Sequence, residues 1–567
     1  MAKASIKKIS RVQQAHDEVG ITKIRPAAAA VFVAFFLIML FGVFIVDHFM
    51  EWSSPRNDTS VSSLRSLEGV SELPEIAEEL HQQRFKPSAW VTANRKLLAR
   101  IQQIEDDIEE QGAVASWLRP WAQSGLLFAG VGNEQVYPGK ESWLFYRPDV
   151  DSVSGPGFLQ PLQLQKRTSS IAEWEKSPQP DPVSALIDFH QQLAARGIRL
   201  LVVLIPVKPE IVPEHFTSRL SGTQMVHNSS YKFFVDQLTE AGVWIADVAT
   251  WMGEYKQQNK KDPFLRTDTH WTPSAMQWVA SRLADELNQQ LSWSGSGLAS
   301  QKTETISVTN QGDIAAMLDL QPMLSPYPSE TVTTLRVTNA DGSRWRASAA
   351  AELLVLGDSF SNMYSLEAMG WGESGGFVEH LSHALQQPID RIVRNDQGAF
   401  ATRQLLAREL ARGRDRLAGK KVVVYQFAGR ELAFGDWQRV ALELKQPAAS
   451  TFLSLAAGEQ KLVHGVVQAI STVPRPGSVP YRDHVVSIHL VDITSVDNPK
   501  SFTQAVVFLQ SMKKNVWTRA ARLRPGDEIE LMLNSWSDVV QVKDGLNRSE
   551  LDSLDLQLQE PVWGELL

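Results

Sequence analysis

Between about residues 183 and 428 the chain alternates two hydrophobic periods. Short apolar runs, Ile198–Ile205 (IRLLVVLI), Val243–Val248, Leu353–Leu356, Arg391–Val393 and Val422–Tyr425, are nearly free of polar alternation. Between them apolar residues return every three or four positions, as in Val183–Ala195 and in Ser230–Ala241, where Tyr231, Phe234, Val235 and Leu238 share one face. A run that is apolar at successive positions fits a strand covered on both faces, as in a parallel sheet. Strands alternating with helices predict a doubly wound α/β domain. Residues 294–350 interrupt the alternation with SWSGSG, a hairpin signal at NADGS and no long helix, and read as an insertion. After about residue 445 the pattern becomes β-rich. HVVSIHLVDI, QAVVFLQ and DEIELMLNSW are the strand candidates, with Ile529, Leu531 and Leu533 on one face and RPGD (524–527) as a turn. A small all-β C-terminal domain, barrel or sandwich, is expected there.

The N-terminus carries a different signal. Ala27–Val46 contains no charge over 20 residues, enough to cross roughly 30 Å of hydrocarbon. Lys3, Lys7, Lys8, Arg11, Lys23 and Arg25 precede it and outnumber Asp17 and Glu18, while Asp47 and Glu51 follow. This asymmetry predicts a cytoplasmic tail over 1–26, an uncleaved transmembrane anchor over 27–46, and the remainder on the far side of the membrane. The apolar stretch is longer than a signal-peptide core, and VDHFMEW offers no small-x-small cleavage site. In a Gram-negative cell the bulk of the chain would be periplasmic, tethered to the inner membrane. Residues 47–115 are polar with helical patches and read as a stalk or peripheral helical segment. The α/β domain is assigned to 116–445 and the β-rich accessory domain to 446–567.

Composition narrows the chemistry. At 567 residues the chain exceeds one ordinary core. A net charge of −8 argues against a nucleic-acid partner. The absence of Cys removes disulfides, thiolate metal sites and Cys nucleophiles. Seventeen Trp are many for this length; their faces suit stacking on sugar rings, although most Trp are simply large core residues.

Two stretches remain to be explained. In LLVLGDSFS (353–361) an apolar strand runs directly into Gly-Asp-Ser. Ligands of α/β sheets bind beyond the carboxyl ends of the strands, so Ser359 sits where a nucleophile belongs, and Gly357 permits the sharp turn. A Ser is inert without a base. RTDTHWTPSA (266–275) offers one: Thr272-Pro273 reads as an N-cap followed by Pro at the first helical position, and Met276, Val279, Ala280, Leu283 and Leu287 continue an amphipathic helix. Asp268 and His270 therefore sit on the loop ahead of a helix. Asp268 against Nδ1 would fix the His270 tautomer and leave Nε2 free to take the Ser359 proton. Asp-x-His supplies two metal ligands and no third at a recognisable spacing, so no metal site is expected, nor any cofactor. RNDQGA (394–399) follows a strand, and Gly398 is a candidate oxyanion donor beside the Ser359 N–H. YQFAGRE (425–431) adds Gln426 and Arg430 at the same sheet edge.

GDS followed by a Gly after the next strand resembles the block order of SGNH hydrolases. In those enzymes Asp and His follow the Ser; here they precede it. That circularly permuted order, with DTHWTP, GDSFS and the stretch Pro206-Val207-Lys208…Pro213-Glu214, resembles the alginate O-acetyltransferase family of SGNH-like periplasmic proteins over roughly residues 130–435. The third SGNH block supplies an Asn, where this chain has QFAGRE. The resemblance implies an SGNH-like doubly wound parallel sheet. It also implies an acetyl donor delivered through a membrane-bound O-acyltransferase, and transfer to sugar hydroxyls of an exopolysaccharide through an acetylated Ser359. Two alternatives stay open on sequence alone: a carbohydrate acetylesterase with the same triad, and a non-catalytic polysaccharide-binding scaffold of a secretion complex.

Overall fold

The computed structural model describes residues 26–37 and 113–567, apart from 170–176, 221–224, 294–300, 321–322, 396–397, 412, 446–451, 475, 477–478, 480, 496–503, 524 and 552. The apolar runs become five strands, β3 (Arg199–Ile205), β4 (Trp244–Ala246), β7 (Leu353–Gly357), β8 (Asp390–Val393) and β9 (Val422–Ala428), all parallel, in the order β4-β3-β9-β7-β8. Read from β7 and closed through β9 to β3, that order is the 2-1-3-4-5 arrangement of doubly wound sheets. The two strands that would come fourth and fifth come first in the chain. This permutation is why the Asp-x-His loop, which follows β4, precedes the nucleophile.

Each strand alternates between two cores. Leu201, Val203, Ile205, Leu353, Val355, Val422 and Val424 face one side, where the helix Pro273–Gln290 packs through Met276, Val279 and Leu283. Leu200, Val202, Leu354, Leu356, Val423, Tyr425 and Phe427 face the other, against Leu186, Phe189 and Leu193 of Pro182–Ala194 and Leu406 and Leu410 of Ala401–Ala411. Burial on both faces explains why the strands read as continuous apolar runs.

The insertion forms an antiparallel pair, β5 (Lys302–Asn310) and β6 (Glu330–Thr338), joined through the short helix α1 (Asp313–Met317). The NADGS turn closes beyond β6, with the Asn339 N–H bonded to Ser343 O at 2.8 Å. A further short pair, β1 (Val136–Pro138) and β2 (Leu144–Tyr146), precedes the sheet.

The C-terminal region is a barrel. Strands β10 (Gln460–Ile470), β11 (His484–Ser495), β12 (Gln504–Lys513), β14 (Glu528–Ser535) and β16 (Pro561–Leu566) close through a β12–β11 pairing; β13 (Val516–Trp517) and β15 (Asn547–Ser549) flank them. Three strands match the sequence expectation. β10 was not read as one: its burial alternates only in part and Gly465 interrupts it, where a Cβ would come within 3.0 Å of Val491 O. The expected boundary near residue 446 separates two sheets, yet Gln123–Leu567 forms one compact unit.

Among the described residues no helix is long and apolar enough to cross a membrane. The N-terminal apolar segment is helical over Pro26–Leu37, with no buried residue. Residues 38–46 of the expected span, and the stalk up to residue 112, lie outside the described residues.

Candidate active site

β7 ends at Gly357, and the chain turns at Asp358 into a single helical turn, Ser359–Asn362. A Cβ on Gly357 would lie 2.4 Å from Ser361 Oγ, so the turn is this tight only because residue 357 has no side chain. Asp358 holds the turn from inside: its carboxylate accepts from Phe360 N (2.9 Å), Ala428 N (2.7 Å) and Gln426 Nε2 (2.6 Å). Burial pushes the Asp358 carboxyl pKa up, although the Gln426 hydrogen bond and Arg430 oppose that. Gln426 Oε1 in turn accepts from Asp358 N and Ser361 Oγ.

The Asp-x-His loop is a hairpin pinned by a Phe264–Trp271 bridge and by Thr272 N donating to Pro263 O (2.8 Å). Thr272 caps the following helix as its sequence implied, its Oγ1 accepting from Ala275 N. Trp271 is fully buried and meets Phe360 edge-on, while Tyr364 Oη donates to Trp271 O at 2.7 Å. The helical turn that carries the nucleophile is thereby tied to the loop that carries the base.

These supports align the three predicted residues. His270 Nε2 lies 2.9 Å from Ser359 Oγ. Asp268 Oδ1 accepts from both His270 Nδ1 (2.7 Å) and His270 N (3.0 Å). Asp268 Oδ2 accepts from Trp371 Nε1 (2.9 Å) and Asp313 N (3.1 Å). Burial would raise the Asp268 pKa, but the hydrogen bond and charge of His270 and the backbone donors bring it down to about 2. Burial would likewise lower the pKa of His270; the hydrogen bond and charge of Asp268 outweigh it, and the net direction is upward. The hydrogen-bonded line can deprotonate Ser359, place the positive charge on the imidazole and hold it there against Asp268.

Sequence reasoning gave no role at the site to four contributors, Asp313, Glu330, Lys208 and Trp371. Asp313, from the insertion, accepts from Thr269 N (2.7 Å) and Thr269 Oγ1 (2.6 Å), and its Oδ2 lies 3.8 Å from His270 Nδ1. Burial, followed by the charge of Asp268, pushes the Asp313 pKa up to about 7. Glu330 of β6 holds Thr267 through its N and Oγ1. Lys208, 1% exposed, donates to Leu144 O and Arg266 O behind the loop; burial brings its pKa down to about 8 against the neighbouring carboxylates. Only glycine at 312 lets α1 approach, since a Cβ there would lie 2.2 Å from Thr267 O. Trp371 had a visible signal: Gly370 and Gly372 flank it, both at positive φ. Asp313 had none beyond an acid in an insertion.

Asp313 supplies the third group that a metal would need, its ligand atoms lying within 4.8 Å of those of Asp268 and His270. The lone pairs are already spoken for: both Asp268 oxygens accept N–H donors and both His270 nitrogens are engaged. The donor set suits a proton relay better than a cation.

The remaining nominees fall into two places. A Cβ on Gly398 would lie 3.6 Å from Asp358 Cβ, which puts Gly398 beside the nucleophile turn; its carbonyl accepts from Tyr425 Oη. The side chain of Asn395, from the same loop, accepts from Asn362 Nδ2 at 2.7 Å. Gln426 and Arg430 each find a buried partner, and the charge of Arg430 reaches His270, whose imidazolium it opposes. Gln426 spends its amide on the nucleophile turn, and Arg430 pairs with buried Asp149 at 3.1 Å and lines a separate cavity with Tyr146 and Phe434. A cavity of about 160 Å³ lies on the Asp268 side of the imidazole, bordered by Asp268, His270, Asn310, Asp313 and Trp371 and not by Ser359.

With this geometry in hand, residues 136–428 match the family described as SGNH hydrolase-like domain, acetyltransferase AlgX. The chain is 30% identical over 216 residues to the probable alginate O-acetylase AlgJ of Pseudomonas aeruginosa, covering 37% of this chain and 48% of that protein. It is 23% identical over 319 residues to its counterpart in Pseudomonas putida, covering 55% of this chain and 74% of that protein. Most of the curated relatives it matches are spanned over about half their length. Among solved structures, the O-acetyltransferase domain of P. putida AlgJ aligns at a TM-score of 0.39 with 20% identity, over 53% of this chain and 93% of that one. P. aeruginosa AlgX aligns at 0.37 with 14% identity, over 70% and 90%.

Proposed function

From the premise that this chain belongs to the family of SGNH hydrolase-like, AlgX-type acetyltransferase domains, we propose that it is a polysaccharide O-acetyltransferase of alginate-type exopolysaccharide synthesis that works through an acetylated Ser359. The observation that carries the reading is the unbroken line from Asp268 through His270 to Ser359 Oγ. In the first half-reaction Ser359 Oγ attacks the acetyl carbonyl while its proton passes to His270 Nε2. The tetrahedral oxyanion is met by the Ser359 and Gly398 N–H groups. Collapse expels the donor's leaving group, which takes the proton from His270. In the second half-reaction a sugar hydroxyl gives its proton to His270 Nε2 and attacks the acetyl carbon. Ser359 leaves and recovers the proton. The imidazole is a base, then an acid, twice over.

The acceptor is an exopolysaccharide, with alginate the first to test because the relatives are named alginate O-acetylases. The donor is an acetyl group handed across the membrane by a membrane-bound O-acyltransferase. Ala27–Val46 and its flanking charges support an inner-membrane anchor, with the N-terminus cytoplasmic and the catalytic domain periplasmic. A periplasm-active reporter fused after residue 567 should be active and a cytoplasm-only reporter silent; the reverse result rejects this topology.

The enzymatic test uses the full chain in detergent with p-nitrophenyl acetate, with and without polysaccharide. A burst of p-nitrophenol, an acetyl group on Ser359 by peptide mass analysis and acetyl ester on the polymer are expected. Release of all acetyl as free acetate in the presence of polymer would make the enzyme an esterase.

A further inference from the structure

The strap 366–376 (LEAMGWGESGG) joins the nucleophile turn to the helix Phe377–Leu385 and delivers Trp371 to the triad. Its indole is 1% exposed, and Nε1 donates to Asp268 Oδ2 at 2.9 Å. The other oxygen of that carboxylate holds the imidazole at Nδ1. The carboxylate plane is thus fixed from both ends, by His270 on one and by Trp371 with Asp313 N on the other. A buried indole N–H needs an acceptor, and a carboxylate is the strongest it can find.

The strap is shaped to present that N–H. Gly370 and Gly372 flank Trp371 at φ of 80° and 115°, a backbone that favours glycine. A Cβ on Gly370 would lie 2.6 Å from Asn310 Nδ2, and one on Gly372 3.3 Å from Ile306 Cδ1, so the strap runs close against β5 on both sides of the indole. Its far end is held by β6: Ser374 O accepts from Val337 N (2.7 Å), and Glu373 pairs with Arg336 (3.0 Å). Its near end is held by the barrel. Leu366 and Ala368 pack on Val485, Val506 and Phe508, and Met369, two residues before Trp371, is closed in with Tyr481 and Met512.

We propose that Trp371 is a positioning residue of the reaction: it orients Asp268 against His270, and the barrel, by gripping the strap at Met369, sets that orientation. The inference rests on the reading of Asp268, His270 and Ser359 as the working triad and gives the barrel a part in the chemistry itself. The consequence has a definite sign. With the indole N–H gone, less of the Asp268 charge is dispersed into donors. Oδ1 then holds the imidazolium more tightly, and neutral imidazole appears only at higher pH. The other charged and titratable groups around this line are Asp313 from the insertion, Arg430 after β9, Asp149 in the helix Arg147–Ser154, Lys208 and Glu330 behind the loop, the Tyr364 phenol, and Arg482 across the cavity. Substitution of Trp371 alters none of them.

Two substitutions separate the N–H from the bulk of the ring. Trp371→Phe keeps an aromatic ring and loses the donor; Trp371→Gln keeps an N–H at similar reach and loses the ring. The readout is the pH profile of kcat/KM of the full chain for p-nitrophenyl acetate. In Trp371→Phe the acidic limb should move up by roughly half a pH unit, with kcat down about tenfold and KM unchanged. In Trp371→Gln the limb should stay near its parent position. An unmoved limb in Trp371→Phe, or the reverse pattern, overturns the proposal, since a ring that only fills space is missed in Gln and not in Phe. Should Trp371→Gln fail to fold by its melting curve, Trp371→Phe still decides the point. For the barrel, Tyr481→Ala and Met512→Ala should each move the limb up by a smaller amount, and Tyr481→Ala should add nothing in a Trp371→Phe background. Val542→Ala, 70% exposed on the barrel surface, should leave the profile alone. Additive shifts, or no shift in either barrel variant, overturn the barrel's part. Ser359→Ala keeps the two readings apart. Turnover that survives it removes the triad and this proposal together, whereas an unmoved limb in an enzyme that needs Ser359 removes this proposal alone.

Discussion

At His270, two carboxylates divide one task. Asp268 bonds Nδ1 directly, while Asp313 stands 3.8 Å away and grips Thr269. Because Asp268, His270 and Ser359 act as a unit, Ala at any one of them should cost roughly 10³-fold or more in kcat for ester hydrolysis, and the Asp268→Ala, Ser359→Ala pair should be little worse than Ser359→Ala alone. Steady-state kinetics on the folded variants decides it, and near-normal turnover of Ser359→Ala places the nucleophile elsewhere. The pH dependence follows from the raised His270 pKa. Only neutral imidazole accepts the Ser359 proton, so kcat/KM should climb as pH rises through a value above the ordinary 6.5. Asp313, with its own pKa pushed up to about 7, is only partly ionised across this limb; Asp313→Asn removes that partial charge, which favours the imidazolium, so the acidic limb should move slightly to lower pH. A limb that stays put or moves upward would show that Asp313 does not act on His270. The same shifts bear on folding. Asp268, depressed to about 2, adds stability above the ordinary carboxylate pKa that is lost as pH falls toward 2. His270, raised, adds stability below about 6.5 that is lost as pH rises through its folded value.

On the element scale the nucleophile turn is the sensitive piece. Strand β7, a single helical turn and the amide of Gln426 form a closed set of hydrogen bonds around Asp358. Gly357→Ala would drive a methyl to 2.4 Å from Ser361 Oγ, so the turn must shift. Since an error of about 1 Å in a reacting group can cost on the order of 10²-fold, kcat should fall at least tenfold while the melting temperature changes by only a few degrees. Retention of full activity would mean that the turn yields without moving Ser359. The insertion belongs to this scale too. Its strands carry Glu330 and its helix Asp313, and both grip the Asp-x-His loop.

For the whole molecule the barrel and the sheet are mechanically joined. Leu366 and Ala368 pack against the barrel's Val485, Val506 and Phe508, and Met369 packs with Tyr481 and Met512. That segment leads directly to Trp371, which holds Asp268. Arg394, ahead of the Asn395–Gly398 loop, donates to Arg548 O in the barrel, and Arg408 pairs with Glu550 at 3.2 Å. An accessory domain that only positioned glycan would leave small-ester hydrolysis untouched when removed. These contacts lead to a different expectation: truncation after residue 445 should lower p-nitrophenyl acetate hydrolysis at least tenfold as well as abolish acetylation of polymer. Small-ester activity within a few-fold of normal in a truncated protein that keeps its circular dichroism would restore the simpler view.

Local information was enough for the sheet, the helix start at Thr272-Pro273 and the choice of Asp268, His270 and Ser359 as side chains that meet, because each is written in contiguous residues: unbroken apolar runs, a cap followed by Pro, Gly-Asp-Ser at a strand end, Asp two residues before His. The order of those pieces also showed that the blocks were permuted. What distance along the chain concealed was decided by packing. Asp313 lies 43 positions past His270 and Trp371 lies 101 past it; no period or spacing ties them to the triad. Gln426 and Arg430 were placed at the correct sheet edge, but which way each side chain turns depends on the buried partner it finds, Asp358 for one and Asp149 for the other. Secondary structure here follows from pattern, whereas the pairing of buried charges follows from which groups meet once the layers close.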